Sequence, residues 1–244
     1  MSQGTDEILA LLDPERIGFP NTAKALADPN GLLAVGGDLT PDWLLAAYRR
    51  GIFPWFSDDQ PILWWSPSPR CIVRPQTLTF SRSLRKVIRQ GRYQVTFDRA
   101  FDRVVRNCAA TPRAGQSGTW ITDDIVEAYA TMHRLGHAHS VETWLDGELV
   151  GGLYGLAVGR MFFGESMFHH ATNASKVAFA YLVRQLAEWD CRLIDCQVSN
   201  PHLLSLGAEE VPRESFEAIL ETEVNKPDFP HPWPAVLSPS LFDT

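Results

Sequence analysis

Cysteine is sparse and unpatterned in this chain. Cys71, Cys108, Cys191 and Cys196 form no C-x-x-C pair and no Cys/His cluster at zinc spacing. Neither a disulfide framework nor a metal is indicated, and free thiols of a reducing compartment are expected. No apolar run reaches the ~18 residues that a spanning helix needs. The opening stretch MSQGTDEILALLDPER carries acids where a signal peptide would carry a basic segment and then a long apolar one, so a cytoplasmic location is expected. There is no P-loop, no G-x-G-x-x-G and no H-E-x-x-H, and the pairs His137-x-His139 and His169-His170 lack helical i, i+4 spacing. Gly151-Gly152 in LVGGLYG reads as strand packing rather than a phosphate cradle.

What is present suits a globular protein: 244 residues, 45% hydrophobic and 21% charged, enough to bury a core without staples. Net charge is −7, but it is unevenly spread. Between Ser81 and Gly115 stand nine basic residues, Arg82, Arg85, Lys86, Arg89, Arg92, Arg99, Arg103, Arg106 and Arg113, against Asp98 and Asp102. That stretch is +7, leaving −14 for the rest. A phosphate-binding face on an acidic protein has this layout, and so does a solvated helix face.

Thr40-Pro41-Asp42 opens a helix with Leu44, Ala47 and Tyr48 on its apolar side, and Gly51 stops it. ILWWSPSPRCIV is extended and punctuated by two prolines, and a domain boundary is expected near 66–75. Beyond it the pattern predicts a basic helix over 81–90, a strand at Tyr93–Phe97 and a helix from Asp98 to Cys108. Thr122-Asp123-Asp124 then opens another helix. Asp146-Gly147 and Gly159-Arg160 are hairpin turns. Ala174–Asp190 has an apolar stripe at helical spacing, and Arg192–Val198 reads as a strand. Residues 225–244, with five prolines, read as an extended tail. The fold class expected is α+β: a small N-terminal domain over 1–70 and a larger domain over 71–224 built on a mixed, mostly antiparallel sheet.

Chemistry concentrates on two strands. Period-2 alternation places Met161, Phe163, Glu165 and Met167 on one face, and Leu193, Asp195 and Gln197 on one face of the later strand. If these strands pair, three polar groups converge on an apolar surface, either as a hydrogen-bonded core network or as a site in use. Trp120, in the loop QSGTWITDD, could stack an unpaired base or pack in the core, while Trp64 and Trp65 read as packing. A nucleophilic pairing of Cys196 with a histidine has no mark in the sequence.

Five strings in one order go further: FPNTAKALADPNGLLAVGGDLTPDWLLAAYRRGIFPWF, PILWWSPSPR, GTWITDDIVEAYATMHRLGHAHSVETW, GGLYGLAVGRMFFGESMFHHATNASKVAF and LIDCQVSNPHLLSLGAEEVPR. Together they resemble the leucyl/phenylalanyl-tRNA–protein transferase family over roughly residues 17–217. The resemblance implies a GNAT-like acyltransferase domain that needs no cofactor. Its expected activity is transfer of Leu or Phe, less readily Met, from aminoacyl-tRNA to proteins beginning with Arg or Lys, creating an N-end-rule degradation signal. A monomer that keeps off membranes is expected. The family's functional positions fall on Trp55, Trp120, Tyr129, Glu165, Asp195 and Gln197. Leu153 stands where the family's apolar pocket has Met, and Ile194 fits as another wall. Arg82, Arg85, Lys86 and Arg89 are expected to hold tRNA phosphates. A conventional acetyl-CoA-dependent relative would need a Gly-rich pyrophosphate turn, which FHHATNASKVAF lacks. A non-catalytic tRNA- or peptide-binding module would bind without transferring.

Overall fold

The computed structural model describes residues 9–111, 119–235 and 242. Two sheets organise it. The smaller has strand order β1-β2-β4-β3, from β1 (Ala10–Leu12), β2 (Leu32–Gly36), β3 (Phe53–Pro54) and β4 (Leu63–Trp65). Helix α1 (Pro41–Tyr48) lies between β2 and β3. Pro41 sits at its start, Asp42 lies in the first turn, and Gly51 takes a φ of 69° just beyond its end. Trp64 is fully buried and donates its indole N–H to the Gly36 carbonyl at 2.8 Å, so packing is its role.

The larger sheet begins with β5 (Arg70–Val73), followed by α2 (Arg82–Arg89), β6 (Gln94–Phe97), α3 (Phe101–Ala110) and α4 (Asp123–Arg134). A meander comes next: β7 (Ala138–Leu145), β8 (Glu148–Val158) and β9 (Met161–His169). Then follow α5 (Ala174–Glu188), β10 (Leu193–Gln197), α6 (Pro201–Ser205), β11 (Glu209–Val211) and α7 (Arg213–Glu223). Strand order is β11-β5-β10-β9-β8-β7-β6, antiparallel except where β10 pairs parallel with β9. This is an α+β fold on a mixed, mostly antiparallel sheet. One face packs on the smaller sheet, α3, α4 and α7, and the other packs on α2 and α5. No helix among the described residues is long and apolar enough to cross a membrane.

Both hairpin turns form where the dipeptides predict, with Asp146 and Gly147 at φ 53° and 84° and Gly159 at 58°. The first hairpin pairs all the way from Leu145 and Glu148 to Ala138 and Leu156. Helix α3 starts at Phe101 rather than Asp98. Asp98 adopts a φ of 55°, and its carboxylate takes the Ser140 N–H at 2.9 Å and a ring nitrogen of His139 at 2.8 Å. Residues 227–235 have neither helix nor strand, yet they are not free of the core. Phe229 and Trp233 are buried, and Trp233 stacks on His139 with ring centroids 3.8 Å apart.

Candidate active site

The site forms where two strands part. β10 pairs with β9 through Leu193–Asp195 against Met161–Phe163, and the ladder then stops. Each strand carries an irregularity there. On β9, Tyr154 of β8 faces Ser166 while Gly155 faces Gly164, so Glu165 is an extra, bulged residue. Gly155 is required at this point, since a Cβ on it would lie 2.1 Å from the Phe163 carbonyl oxygen. On β10 the register against β5 slips between Asp195 and Gln197, and Gln197 takes a left-handed φ of 56°.

These bulges correct the strict alternation. Met161, Phe163 and the Glu165 carboxylate share the face that carries Tyr48 and Tyr129. Met167 is turned to the opposite core, beside Leu153, because the bulge resets the alternation. Leu193 packs in the first core, and Ile194 and Cys196 in the second.

Between the parted strands opens a cavity of about 740 Å³, within the range of small-molecule sites. Its walls are largely apolar, with Trp55 and Trp120 on one side and Leu153, Phe162, Ile194 and Leu182 towards α5. Glu165 and Gln197 supply polar groups to the same space. Trp55 is fixed by its neighbour Trp65, ring centroids 5.6 Å apart, whose indole N–H donates to the Trp55 carbonyl at 2.6 Å.

Glu165 accepts hydrogen bonds from Tyr48 Oη at 2.6 Å and Tyr129 Oη at 3.2 Å, and the two hydroxyls also contact each other. Burial is the main force on its carboxyl, pushing it up to about 8 against the opposing pull of the two tyrosine donors. Tyr48 and Tyr129 are themselves held well above the ordinary phenol range, first by burial and next by the neighbouring Glu165. Gln197 is 9% exposed, and its Nε2 has no hydrogen-bond partner among the described residues. Its backbone N–H donates to Asp195 Oδ1 at 3.0 Å.

Six of the expected positions therefore meet at one cavity: Trp55, Trp120, Leu153, Glu165, Ile194 and Gln197. Asp195 and Tyr129 stand behind its wall, fully buried. Asp195 touches Gln197 through the backbone, and its carboxylate is gripped by Arg70 at 2.8 and 2.6 Å. Arg82, Arg85, Lys86 and Arg89 are exposed on α2, away from the lining but packed through Leu84 and Ile88 on the core shared with α5. Two residues escaped the sequence reading. Tyr48 was counted only in the apolar face of α1, and Arg70 carried no role. Its place directly after Pro-Ser-Pro, opening a buried strand, was the one available sign.

The chain matches known proteins over most of its length. The family model described as leucyl/phenylalanyl-tRNA protein transferase matches residues 72–221, and that of its N-terminal domain matches 37–68. A relative of that name from Hahella chejuensis is 58% identical over 226 residues, covering 93% of this chain and 96% of its own. One from Azoarcus sp. is 61% identical over 207 residues, covering 85% and 88%, and one from Pseudomonas fluorescens 55% over 226, covering 93% and 99%. Among solved structures, a GCN5-related N-acetyltransferase-like protein from Streptococcus suis superposes with a TM-score of 0.34 and 11% identity, covering 70% of this chain and 63% of its own. The sequence matches make the chain an aminoacyltransferase. It belongs to the leucyl/phenylalanyl-tRNA protein transferase family.

Proposed function

We propose that this protein transfers Leu or Phe, and less readily Met, from aminoacyl-tRNA to the N-terminal Arg or Lys of acceptor proteins, creating an N-end-rule degradation signal. The observation that carries the reading is one apolar cavity faced by Gln197, whose buried Nε2 has no partner among the described residues, and by a tyrosine-held carboxyl group, Glu165.

The acceptor's α-amino nitrogen attacks the ester carbonyl carbon. A C–N bond forms, the C–O bond to the ribose breaks, and the ribose oxygen leaves with the proton that the amine surrenders. The ester is already activated, so positioning can supply about 7–11 kcal/mol of the barrier. An α-amino group of pKa roughly 7.7–8.0 is partly neutral near pH 7 without a strong base. Gln197 offers Nε2 to the oxygen of the developing tetrahedral centre and orients the amine. It acts as an organiser, since an amide is a very weak base. Leu153 and Ile194 wall the aminoacyl side chain; a γ-branched or planar group fits such a slot where a β-branched one meets it sterically. Trp55 and Trp120 flank the 3′-terminal adenosine, while Asp195 and Tyr129 hold Gln197 and Glu165 from behind.

Glu165 receives the acceptor's cation. Burial keeps its carboxyl protonated in the empty site, and an arriving ammonium or guanidinium favours the carboxylate, so charge appears only when its partner does. The basic face of α2 holds acceptor-stem phosphates without reading sequence. The reaction proceeds in the cytoplasm on a monomer.

Mixing the protein with tRNA charged with labelled leucine and a protein beginning with Arg should move label into the protein. A matched acceptor beginning with Asp should stay unlabelled. Binding of both substrates without transfer would overturn the reading.

A further inference from the structure

We infer that Arg70 is a positioning residue for this transfer: by clamping Asp195 it fixes the left-handed turn that presents the Gln197 amide to the cavity. The inference rests on the role proposed for Gln197.

Arg70 opens β5 and is 1% exposed. Its Nε and Nη2 grip both oxygens of Asp195, at 2.8 and 2.6 Å, and Asp195 is 0% exposed. The free rotation of that carboxylate is thereby removed, and Oδ1 is left in place to accept the Gln197 N–H. That bond spans the residues at which β10 slips register and turns left-handed. A non-glycine residue at positive φ is held there only by its surroundings. The chain of contacts runs from guanidinium to carboxylate to backbone N–H, and ends on the residue whose Nε2 has no partner among the described residues.

Arg70 also spans the walls. Its guanidinium lies over the rings of Phe53, at 5.1 Å, and Phe216 of α7, at 4.6 Å. Phe53 lines the cavity on the strand leading into Trp55. One side chain thus ties the turn carrying Gln197 to the strand leading into Trp55. Stability alone is a poor reason for the arrangement. A buried ion pair gains little over an apolar pair of similar volume, and Arg70 Nη1 has no partner among the described residues. Fixed geometry beside the reacting centre is what such a pair supplies and an apolar pair does not.

Arg70→Lys keeps the charge but loses the two-pronged grip. We expect it to fold, with Gln197 amide hydrogen exchange accelerated about tenfold. Its kcat should fall by up to about a hundredfold, while KM for aminoacyl-tRNA changes less than about threefold. The double variant Arg70→Met/Asp195→Leu removes the pair without leaving a lone buried charge. It should unfold near the wild-type temperature and still turn over slowly. A double variant of wild-type stability and wild-type kcat would reduce the pair to a structural one and overturn the inference, as would Arg70→Lys with unchanged kcat and a protected amide. Gln197→Ala separates the underlying reading: normal turnover in that variant would remove the role of Gln197 itself, whatever the exchange experiment says of the clamp.

Discussion

Two glutamates of the large sheet, Glu142 fully buried and Glu165 half-buried at the cavity, differ in the respect that matters for function. Glu142 on β7 is 0% exposed and accepts from four donors: Thr96 Oγ1, Ser140 Oγ and the backbone N–H groups of Arg99 and Ala100. The last two precede α3, so this carboxylate joins the sheet edge to a helix start, where negative charge is favoured. Every donor is internal and nothing is left over. Glu165 has only the two tyrosine hydroxyls among the described residues, sits on a bulge, and faces a cavity. Burial raises both carboxyls, but at Glu142 four donors oppose it, whereas Glu165 is pushed up to about 8. A satisfied carboxylate binds the fold together, and an under-satisfied one in a cavity is held ready for something from outside.

Removing each group should separate the two roles. Glu142→Ala leaves two hydroxyls and two N–H groups without their acceptor and should cost about 3 kcal/mol in denaturant unfolding, with activity per folded molecule unchanged. Glu165→Ala should unfold within about 1 kcal/mol of wild type and lose its preference for basic acceptors. Equal destabilisation by the two would erase the distinction.

The raised carboxyl of Glu165 makes a pH test, and the sign follows from proton counts. In the unfolded chain this side chain titrates near 4.3, and in the folded protein near 8. Between those values the folded state retains a proton that the unfolded state has released, so its contribution to stability falls as pH rises from about 5 to about 8 and is constant above. Glu165→Gln carries no such proton. The variant should therefore gain on wild type by about 1.4 kcal/mol for each pH unit within that window, the Glu142 effect cancelling because both proteins share it. A pH-independent difference would show that Glu165 is already ionised in the empty site.

The same contrast explains what the sequence disclosed. Local signals carried far: Asp146-Gly147 gave its hairpin, Thr122 caps α4 through its side chain as its position implies, and the apolar stripe of α5 is buried as its spacing requires. Glu165 and Gln197 were legible as polar groups on apolar strands. Their supports were not, because those lie far along the chain: Tyr48 is 117 residues from Glu165, and Arg70 is 125 from Asp195. Nor could strict alternation show the bulges. A period of two presumes unbroken pairing, and the extra residue at Glu165 answers to Gly155 on the neighbouring strand rather than to its own neighbours in sequence. The short strands β1–β4 carry too few residues for any period to register.

A weaker effect tests the surface of α2 against the cavity. Reversing Arg85, Lys86 and Arg89 to Glu should raise KM for aminoacyl-tRNA roughly tenfold at low salt and flatten its salt dependence. A short aminoacyl-adenosine substrate should be used as before. Equal loss on both substrates would mean that these exposed residues act through the fold rather than on phosphate.

The smallest change expected lies inside the cavity, at Leu153. It is 3% exposed, pairs with Met167 across β8 and β9, and shares the cavity wall with it. Leu153→Met nearly conserves volume and should cost less than about 1.5 kcal/mol in stability. The straighter, more flexible side chain changes the shape of the slot more than its size, so the ratio of Phe to Leu transfer should shift by only a few-fold. Measured on mixed charged tRNAs in one reaction, that ratio reports on side-chain fit alone, since both donors share the adenosine, the ester and the acceptor. If the ratio stays fixed while Ile194→Ala moves it, the aminoacyl group lies against β10 rather than β8, and the slot is set by the strand that also carries Gln197.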